Sequence, residues 1–256
     1  MSRFCFVLRP KMQQLEISQV NNSFSSSDSI AAFLETLTLT RVKRIIKSVL
    51  SNRADLEKIA DRSYSHPNGF DKIPLVVPSH EEFKVRLHIW WPLEPGQSPS
   101  KEDIHDHRWD FCSKIITGQL ALENWSELSG LDNNHRAVTR EEYRYHPRGN
   151  NEYFSMEHIG CCRLIKTFTS SMHKGSSYSI AYDQLHRATS PSNLLTSTVM
   201  IQQAALKTST RVMVDTPLRK KQRVKSPRFS PEELRARLER YLDLVSISNR
   251  GKRKNV

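Results

Sequence analysis

The chain of 256 residues is poor in glycine and cysteine, with eight of the first and four of the second. The cysteines form no C-x-x-C pair. The adjacent Cys161 and Cys162 would bridge each other only with strain, which argues against a zinc ribbon, a redox pair or a disulfide framework. The sequence also has no glycine-rich phosphate loop. A nucleotide cofactor is therefore not expected.

Long apolar runs are missing as well. No window approaches the roughly 20 apolar residues that a membrane-spanning helix needs. The stretch 4–8 is apolar, but these five residues are too few for the hydrophobic region of a signal peptide. Together with the unpaired cysteines, these absences predict a protein of the cytoplasm without a membrane partner.

Positive charge is concentrated at the C-terminal end. The chain carries a formal charge of +12, and from Thr216 onward thirteen Lys or Arg stand against four Asp or Glu, a net +9. Clusters such as "RKKQRVK" can bind nucleic-acid backbones or form solvated extensions that aid solubility. Because no aromatic residues are interleaved with them, we favour the extension and keep nucleic acid as the alternative partner.

The apolar pattern divides the rest of the chain. Helical periodicity from Ile30 to about Ala60 predicts N-terminal helices, which end before the "HPNGF" turn at residues 66–70. From Lys72 to about Val214, short or alternating apolar runs such as "KVRLHIWW" and "LLTSTVMIQ" predict at least seven strands. Many short strands without an intervening helix are typical of an antiparallel sandwich or barrel.

One further helix is predicted in the basic tail, within "SPEELRARLERYLDLVSI". Ser230 and Glu233 form a capping box and Pro231 occupies the first turn. The apolar stripe of this helix comprises Leu234, Leu238, Tyr241, Leu242 and Val245. We therefore divide the chain into an N-terminal helical segment (1–71), a barrel (72–215) and a basic tail (216–256).

The stretch "IHDHRWDFC" places two histidines one residue apart. In a strand, His105 and His107 project from the same face, because strand side chains alternate. Two neighbouring imidazoles are half of a metal site, and His186, at the end of the strand-like run "YSIAYDQLH", supplies a third. Three neutral imidazoles would leave coordination positions open, as in catalytic metal centres.

These spacings resemble the two motifs of the cupin superfamily. Gly118 lies eleven residues after His107, and Gly175 lies eleven residues before His186. The resemblance implies a mainly β fold, namely a double-stranded β-helix (jelly-roll) barrel with N-terminal helices and a C-terminal helix. It also implies that the three histidines bind one metal ion inside the barrel.

The first motif is most similar to cysteine dioxygenase and related thiol dioxygenases. These enzymes have a strand of the type "KVRLHIWW", then "IHDH", and a cysteine seven residues after the first histidine, here Cys112. The resemblance implies Fe(II) as the metal, with a substrate and O₂ in its open positions, although imidazoles also suit Zn, Mn, Ni and Cu. Gln203 stands where animal thiol dioxygenases have a tyrosine that cross-links to the cysteine.

Several other side chains are candidates for the site. Cys112 is either catalytic or a small apolar core residue. Arg86 can hold a substrate carboxylate or phosphate if its strand face lines the barrel; on the opposite face it is simply solvated. Tyr182 can supply a proton donor or an aromatic wall, or pack in the core. Asp106 points away from the two ligands and is expected to be structural. Asp110 is expected to be either a hydrogen-bond partner or a surface charge, and not a ligand.

The resulting prediction is a non-haem iron oxygenase that acts on a small thiol or amino-acid-like molecule with O₂. Two alternatives stay open. One is a ligand sensor or regulator whose basic tail contacts nucleic acid; the other is a zinc or manganese isomerase or hydrolase on the same histidines. The sequence predicts no oligomeric state.

Overall fold

The protein is described here by a computed structural model. It covers residues 27–75, 83–94, 96–97, 102–129, 135–147, 153–191, 193–218 and 221–251. The serine-rich lead-in before Ser27 lies outside these residues.

The chain forms two antiparallel sheets. Their strands are β1 (Tyr64–His66), β2 (Phe70–Pro74), β3 (Lys84–Trp90), β4 (Ile104–His105), β5 (Phe111–Thr117), β6 (Gln119–Glu127), β7 (Val138–His146), β8 (Tyr153–His173), β9 (Ser177–Ile180), β10 (Leu185–Thr189), β11 (Thr196–Gln202), β12 (Thr210–Val214) and β13 (Lys221–Lys225). The first sheet has the order β1-β2-β3-β11-β5-β9 and the second β13-β8-β6-β10-β4-β12-β7.

The second sheet closes on itself, because β7 pairs with β8 as well as with β12. One apolar cluster lies between the sheets. It joins residues of the first sheet, such as Phe70 and Phe111, to residues of the second, such as Leu120 and Leu122. Burial of a shared apolar face holds such a two-layer structure together. The predicted fold class, a mainly β jelly-roll barrel with N-terminal helices and a C-terminal helix, is confirmed.

The N-terminal helical region is confirmed, with two breaks. Its helices are α1 (Ser27–Thr36), α2 (Leu39–Ser51) and α3 (Arg53–Ala60). The breaks fall at two N-cap residues: Thr38 accepts a hydrogen bond from the Arg41 amide, and Asn52 accepts one from the Asp55 amide, both at 3.3 Å. Side-chain oxygens at this position satisfy amides that the helix itself leaves unpaired.

The last helix, α4 (Pro231–Gly251), has the predicted capping box. The Ser230 amide donates to the Glu233 carboxylate at 2.7 Å, and the Glu233 amide donates to the Ser230 hydroxyl at 3.1 Å. Leu234, Leu238 and Tyr241 are fully buried. They belong to one cluster with residues of α1 to α3 and of the outer face of the first sheet. The helices therefore cover one sheet and have no core of their own.

The basic tail is thus not simply a solvated extension, which corrects that expectation for residues 221–251. Its strand β13 pairs with β8 over five residues, from Lys221 opposite Glu157 to Lys225 opposite Tyr153. The hydroxyl of Tyr241 lies 2.9 Å from the hydroxyl of Ser197 on β11. Within the described residues, no helix combines the length and apolar character that crossing a membrane requires.

Asp71 on β2 ties the first sheet to α4. Its buried carboxylate accepts hydrogen bonds from the Ser65 hydroxyl (2.7 Å), the Trp91 indole (2.6 Å) and the Arg237 guanidinium (2.6 Å). We expect Asp71→Ala to lower the free energy of unfolding by about 3 kcal/mol, because it leaves three donors without their acceptor. Urea unfolding followed by circular dichroism measures this. The matched control is the exposed Asp61→Ala, and an equal effect of both would contradict the prediction.

Candidate metal centre

Three imidazoles meet inside the barrel. His105 ends β4 and lies directly opposite His186 on β10, and His107 follows two residues later. The ring centroids are 4.9 Å apart for His105 and His107, 4.7 Å for His105 and His186, and 5.0 Å for His107 and His186. One nitrogen of each ring lies within 4.8 Å of the others. This near-equilateral arrangement suits a single ion bound by all three.

Two of the rings are held in a defined tautomer. The Nδ1 of His105 lies 2.8 Å from the carbonyl of Asp103, and the Nδ1 of His186 lies 2.9 Å from the carbonyl of Gln184. A carbonyl only accepts, so each Nδ1 carries the proton and each Nε2 keeps its lone pair. Such backbone partners commonly orient histidine ligands of metals. The third ring, His107, stacks on Trp109 at 4.4 Å instead.

Burial keeps these rings neutral. It lowers the pKa of His105, lowers the pKa of His107 well below the ordinary value, and lowers the pKa of His186 to about 3. The neighbouring rings lower the pKa of His107 further, since two charged imidazoles would repel each other. Neutral imidazole is the form that binds a metal ion, so the cluster needs no deprotonation at physiological pH.

The cluster faces a cavity of about 580 Å³. This volume falls within the range of small-molecule sites. The aromatic and other apolar residues of its wall include Phe70, Trp90, Trp109, Phe111, Leu122, Phe154, Tyr178 and Met200. Most of them come from the layer between the two sheets. The cavity is therefore the barrel interior, with the three histidines on one wall.

Arg86 lines this cavity from β3 in the first sheet, which is the first of the two positions predicted for it. The cavity-lining face of β3 carries Arg86, His88 and Trp90. The guanidinium carbon of Arg86 lies 5.5 Å from the centre of the Trp109 ring, and burial lowers the pKa of Arg86 to about 10. Arg86 remains positively charged at neutral pH and can bind an acceptor in the cavity.

Cys112 does not line the cavity, which corrects its predicted place in the site. Along β5, Phe111 points into the barrel, and Cys112 points to the opposite face. There it packs among residues of the helices, with its thiol 3.2 Å from the Ser179 hydroxyl. Its other predicted role, a small core residue, fits this position. Adjacent residues of a strand point to opposite faces, so Cys112 cannot line the cavity when its neighbour Phe111 does.

Tyr182 also lies outside the cavity lining. Its ring is near Lys207, whose ammonium lies 5.5 Å from the ring centre. Its backbone does contribute to the site: the His107 amide donates to the Tyr182 carbonyl at 3.0 Å, and the Tyr182 amide donates to the Asp110 carboxylate at 2.7 Å. Three other tyrosines, Tyr64, Tyr145 and Tyr178, line the cavity, and the ring of Tyr178 lies beside Phe111.

The two aspartates of the histidine motif have structural roles. Asp106 is buried and accepts hydrogen bonds from the Lys207 ammonium and from the Arg211 amide, the latter at 2.8 Å. It thereby fixes β12 beside β4. Asp110 orients the segment that carries Tyr182. Both findings agree with the expectation that neither is a ligand.

Glu102 is a cavity residue that the sequence did not single out. Its carboxylate is buried and accepts a hydrogen bond from the Ala188 amide at 3.0 Å. Burial raises the pKa of Glu102 to about 8. In the sequence it belongs to the polar stretch "KEDIH", which has no feature that distinguishes it from a surface loop.

Glu102 should make stability depend on pH. Its folded-state pKa of about 8 exceeds the ordinary 4.5, so the folded state binds the proton more tightly and the free energy of unfolding falls as pH rises through this window. Each unit of pKa difference corresponds to about 1.4 kcal/mol. We expect Glu102→Gln, which cannot ionise, to remove a fall of several kcal/mol between pH 5 and pH 8. Urea unfolding of chelator-treated protein measures it.

The control for this experiment is Glu94→Gln, because Glu94 is exposed. It should keep the pH dependence of the unaltered protein. If Glu102→Gln and Glu94→Gln show the same slope of unfolding free energy against pH, the Glu102 carboxyl group is not the source of the pH dependence.

No family model matches the chain, and no curated protein matches it significantly in sequence. The solved structures to which the chain shows similarity include a crystal structure of DMSP lyases (12% identity, TM-score 0.33), an RmlC-like cupin from Shewanella frigidimarina (9%, 0.32) and KdgF from Halomonas sp. (8%, 0.32).

Each of these matches covers 56% of this chain, and they cover 52%, 83% and 86% of the three matched chains in the same order. The chain thus matches about half the length of the DMSP lyase. Similarities of this size assign neither a family nor an activity to the protein, so function has to be argued from the site itself.

Proposed function

We propose that this protein is a cupin-type metalloenzyme in which His105, His107 and His186 hold Fe(II), and that it oxidises a small molecule with O₂. The observation that carries the proposal is the convergence of three neutral imidazoles, two in a fixed tautomer, on the wall of the cavity inside the barrel. A purely structural metal site is normally closed by a fourth protein ligand.

The residues present fit such a metal. Imidazole nitrogens bind iron, zinc, copper and nickel, and three of them leave positions for other ligands. When bound, Fe(II) supplies the electron chemistry that O₂ requires. We prefer iron because "KVRLHIWW" and "IHDH" resemble the motifs of thiol dioxygenases. A thiol or amino-acid-like substrate follows from the same resemblance.

The chain itself would provide the surroundings of the reaction. Trp109, Phe111 and Trp90 exclude water from the cavity wall. Trp109 fixes the His107 ring by stacking, and the backbone carbonyls of Asp103 and Gln184 fix the other two rings. Arg86 would orient the substrate by binding an acceptor group. Cys112 has no part, since it faces the helices.

The test is reconstitution. Protein purified without oxygen and loaded with Fe(II) should bind one iron per chain, and O₂ consumption should be screened against thiols, amino acids and organic acids. Substrate-dependent uptake that zinc-loaded protein does not show would support the proposal. Tight iron binding without uptake for any compound, together with turnover in the zinc form, would refute the oxygenase.

Glu102 favours one second candidate, namely metal-assisted acid–base chemistry in a zinc or manganese isomerase or hydrolase. A buried carboxyl group on the cavity wall, with a pKa raised to about 8 by burial, is suited to exchange a proton near neutral pH. In that case Glu102→Gln should abolish turnover by the zinc or manganese form while metal content stays unchanged. In the oxygenase, the same change should leave O₂ uptake within a few-fold.

The proposal includes a small molecule and O₂ as partners in the cytoplasm, and does not include nucleic acid. Three basic residues of the C-terminal part are engaged within the fold. Arg237 binds Asp71, Arg235 donates to the Leu50 carbonyl at 3.2 Å, and Arg223 lies over the Tyr153 ring at 4.7 Å. Charges used in this way are less available to a phosphate backbone.

A further inference from the structure

We propose that the cavity holds its ligand through an oxyanion subsite formed by Arg86 and His88, and that this ligand carries at least two negative charges, as a phosphate ester or a polycarboxylate does. The inference deepens the proposed function, on which it rests for the reaction at the histidines. The subsite itself stands on three features of the β3 wall.

The first feature is a pair of buried polar atoms without partners. Nη1 of Arg86 and Nε2 of His88 are both buried and make no hydrogen bond to any described residue. His88 is only 8% exposed. Burying such groups unpaired is costly, and more so for a charged guanidinium. The two residues lie two positions apart on one strand face that lines the cavity, so a single oxygen-rich ligand can pair both.

The second feature is the sign of the charge around them. Six basic side chains line the cavity: Arg62, Lys72, Lys84, Arg86, Arg108 and Arg228. Acidic side chains in the lining are Glu102 and Asp103, and the raised pKa of Glu102 keeps that carboxyl largely protonated at neutral pH. One carboxylate needs a single guanidinium, whereas a cavity with this excess of cations attracts a multiply charged anion.

Three of the six cations, Lys72, Lys84 and Arg86, lie on the neighbouring strands β2 and β3. Lys72 on β2 lies directly opposite His88 on β3 in the strand register, and Pro74 lies opposite Arg86. Lys72 also lines the cavity; burial is the larger cause that lowers the pKa of His88, and the positive charge of Lys72 lowers it further. An anion bound at Arg86 and His88 would therefore lie within the field of Lys72 as well.

The third feature connects this subsite to the metal centre. The Trp109 ring stacks on His107 with an angle of 13° between the planes, and the Arg86 guanidinium lies over the same indole. Arg86 is thus separated from a candidate metal ligand by one aromatic ring. A ligand anchored at Arg86 would extend along Trp109 with its remaining atoms facing the three imidazoles.

The experiment is calorimetric titration of the full chain, freed of metal and then of the chelator, with inorganic pyrophosphate, with propane-1,2,3-tricarboxylate and with acetate. We expect at least one of the first two to bind, and acetate to bind at least tenfold more weakly. Binding of pyrophosphate alone assigns a phosphate ester, and binding of the tricarboxylate alone assigns a polycarboxylate. Binding of both supports an anion with at least two negative charges and does not choose between the two classes.

The variant Arg86→Met should weaken the binding of the same probe on the order of 10- to 100-fold, since hydrogen bonds between charged groups are among the stronger ones. Its control is Arg144→Met, an exposed arginine on β7 outside the cavity lining. This control should bind the probe like the unaltered chain. The unfolding temperature of Arg86→Met should not fall, because an unpaired buried charge is removed.

Two results would overturn the subsite: no binding of either multiply charged probe, or equal binding by Arg86→Met and the unaltered chain. Because the titration is done without metal, its outcome is independent of the oxygenase. Anion binding that persists in a chain without O₂ uptake would retain the subsite and reject the oxygenase. O₂ uptake by a chain that binds neither anion would retain the oxygenase and reject the subsite.

Discussion

Replacing His186 by alanine is expected to lower the affinity for a divalent metal by roughly 100-fold or more and to abolish any metal-dependent turnover. Loss of a partner that merely orients a ligand already costs 10- to 100-fold in affinity, and loss of the ligand itself should cost at least as much. His105 and His107 alone would hold the ion by one short segment, without the opposing strand β10. Equilibrium titration with Fe(II) against a competing chelator, without oxygen, measures the change.

The matched control is His173→Ala, because His173 is an exposed histidine on β8. It should bind metal like the unaltered chain. Circular dichroism and urea unfolding must show that His186→Ala stays folded. If the folded His186→Ala variant bound Fe(II) as tightly as the His173→Ala control, the three-histidine centre would be refuted.

Gly118→Ala is expected to cause the largest loss of stability, roughly 3 kcal/mol or more. Gly118 turns the chain from β5 in one sheet to β6 in the other with φ at +69°, a conformation that costs an L-residue about 1–2 kcal/mol. An added Cβ would also lie 2.4 Å from the Thr196 hydroxyl and 2.7 Å from the Leu195 carbonyl oxygen. Overpacking of this kind adds about 1–3 kcal/mol, because backbone atoms cannot move away cheaply.

Gly175→Ala separates the two causes. Gly175 also has a positive φ, of +95°, but no atom lies within 4 Å of the position of its Cβ. The variant Gly175→Ala should therefore lose only the stability that the positive φ costs, about 1–2 kcal/mol. Urea unfolding of both variants gives the comparison. Equal losses would show that the contact with Thr196 relaxes and that strain alone is responsible.

Much of the site was predictable because its signals are local. A pair of histidines at strand spacing, followed by Gly118, and a distant glycine–strand–histidine unit are set by period-two geometry and by a turn that only glycine adopts without strain. The capping box at Ser230 and Glu233 is equally local. Hydrogen bonds within four residues decide such features, so they can be inferred without knowledge of the fold.

Features that depend on partners distant in sequence were not predictable. The strands β7 and β13 are rich in charged residues, and their polar pattern does not indicate a strand. Phe111 and Cys112 are both apolar and adjacent, so their order along the chain cannot show which faces the barrel. Glu102 is buried only because β10 brings the Ala188 amide to it.

By itself, the sequence determined the mainly β class, the helices at both ends and the three histidines that could share an ion, because alternation, capping and turn geometry are properties of short segments. Only the tertiary structure decided which face of β3 and β5 lines the cavity, and that Arg86 lies inside it while Cys112 and the ring of Tyr182 lie outside. The physical reason is that a face is buried by what packs against it, and the packing partners come from strands and helices far away in the chain.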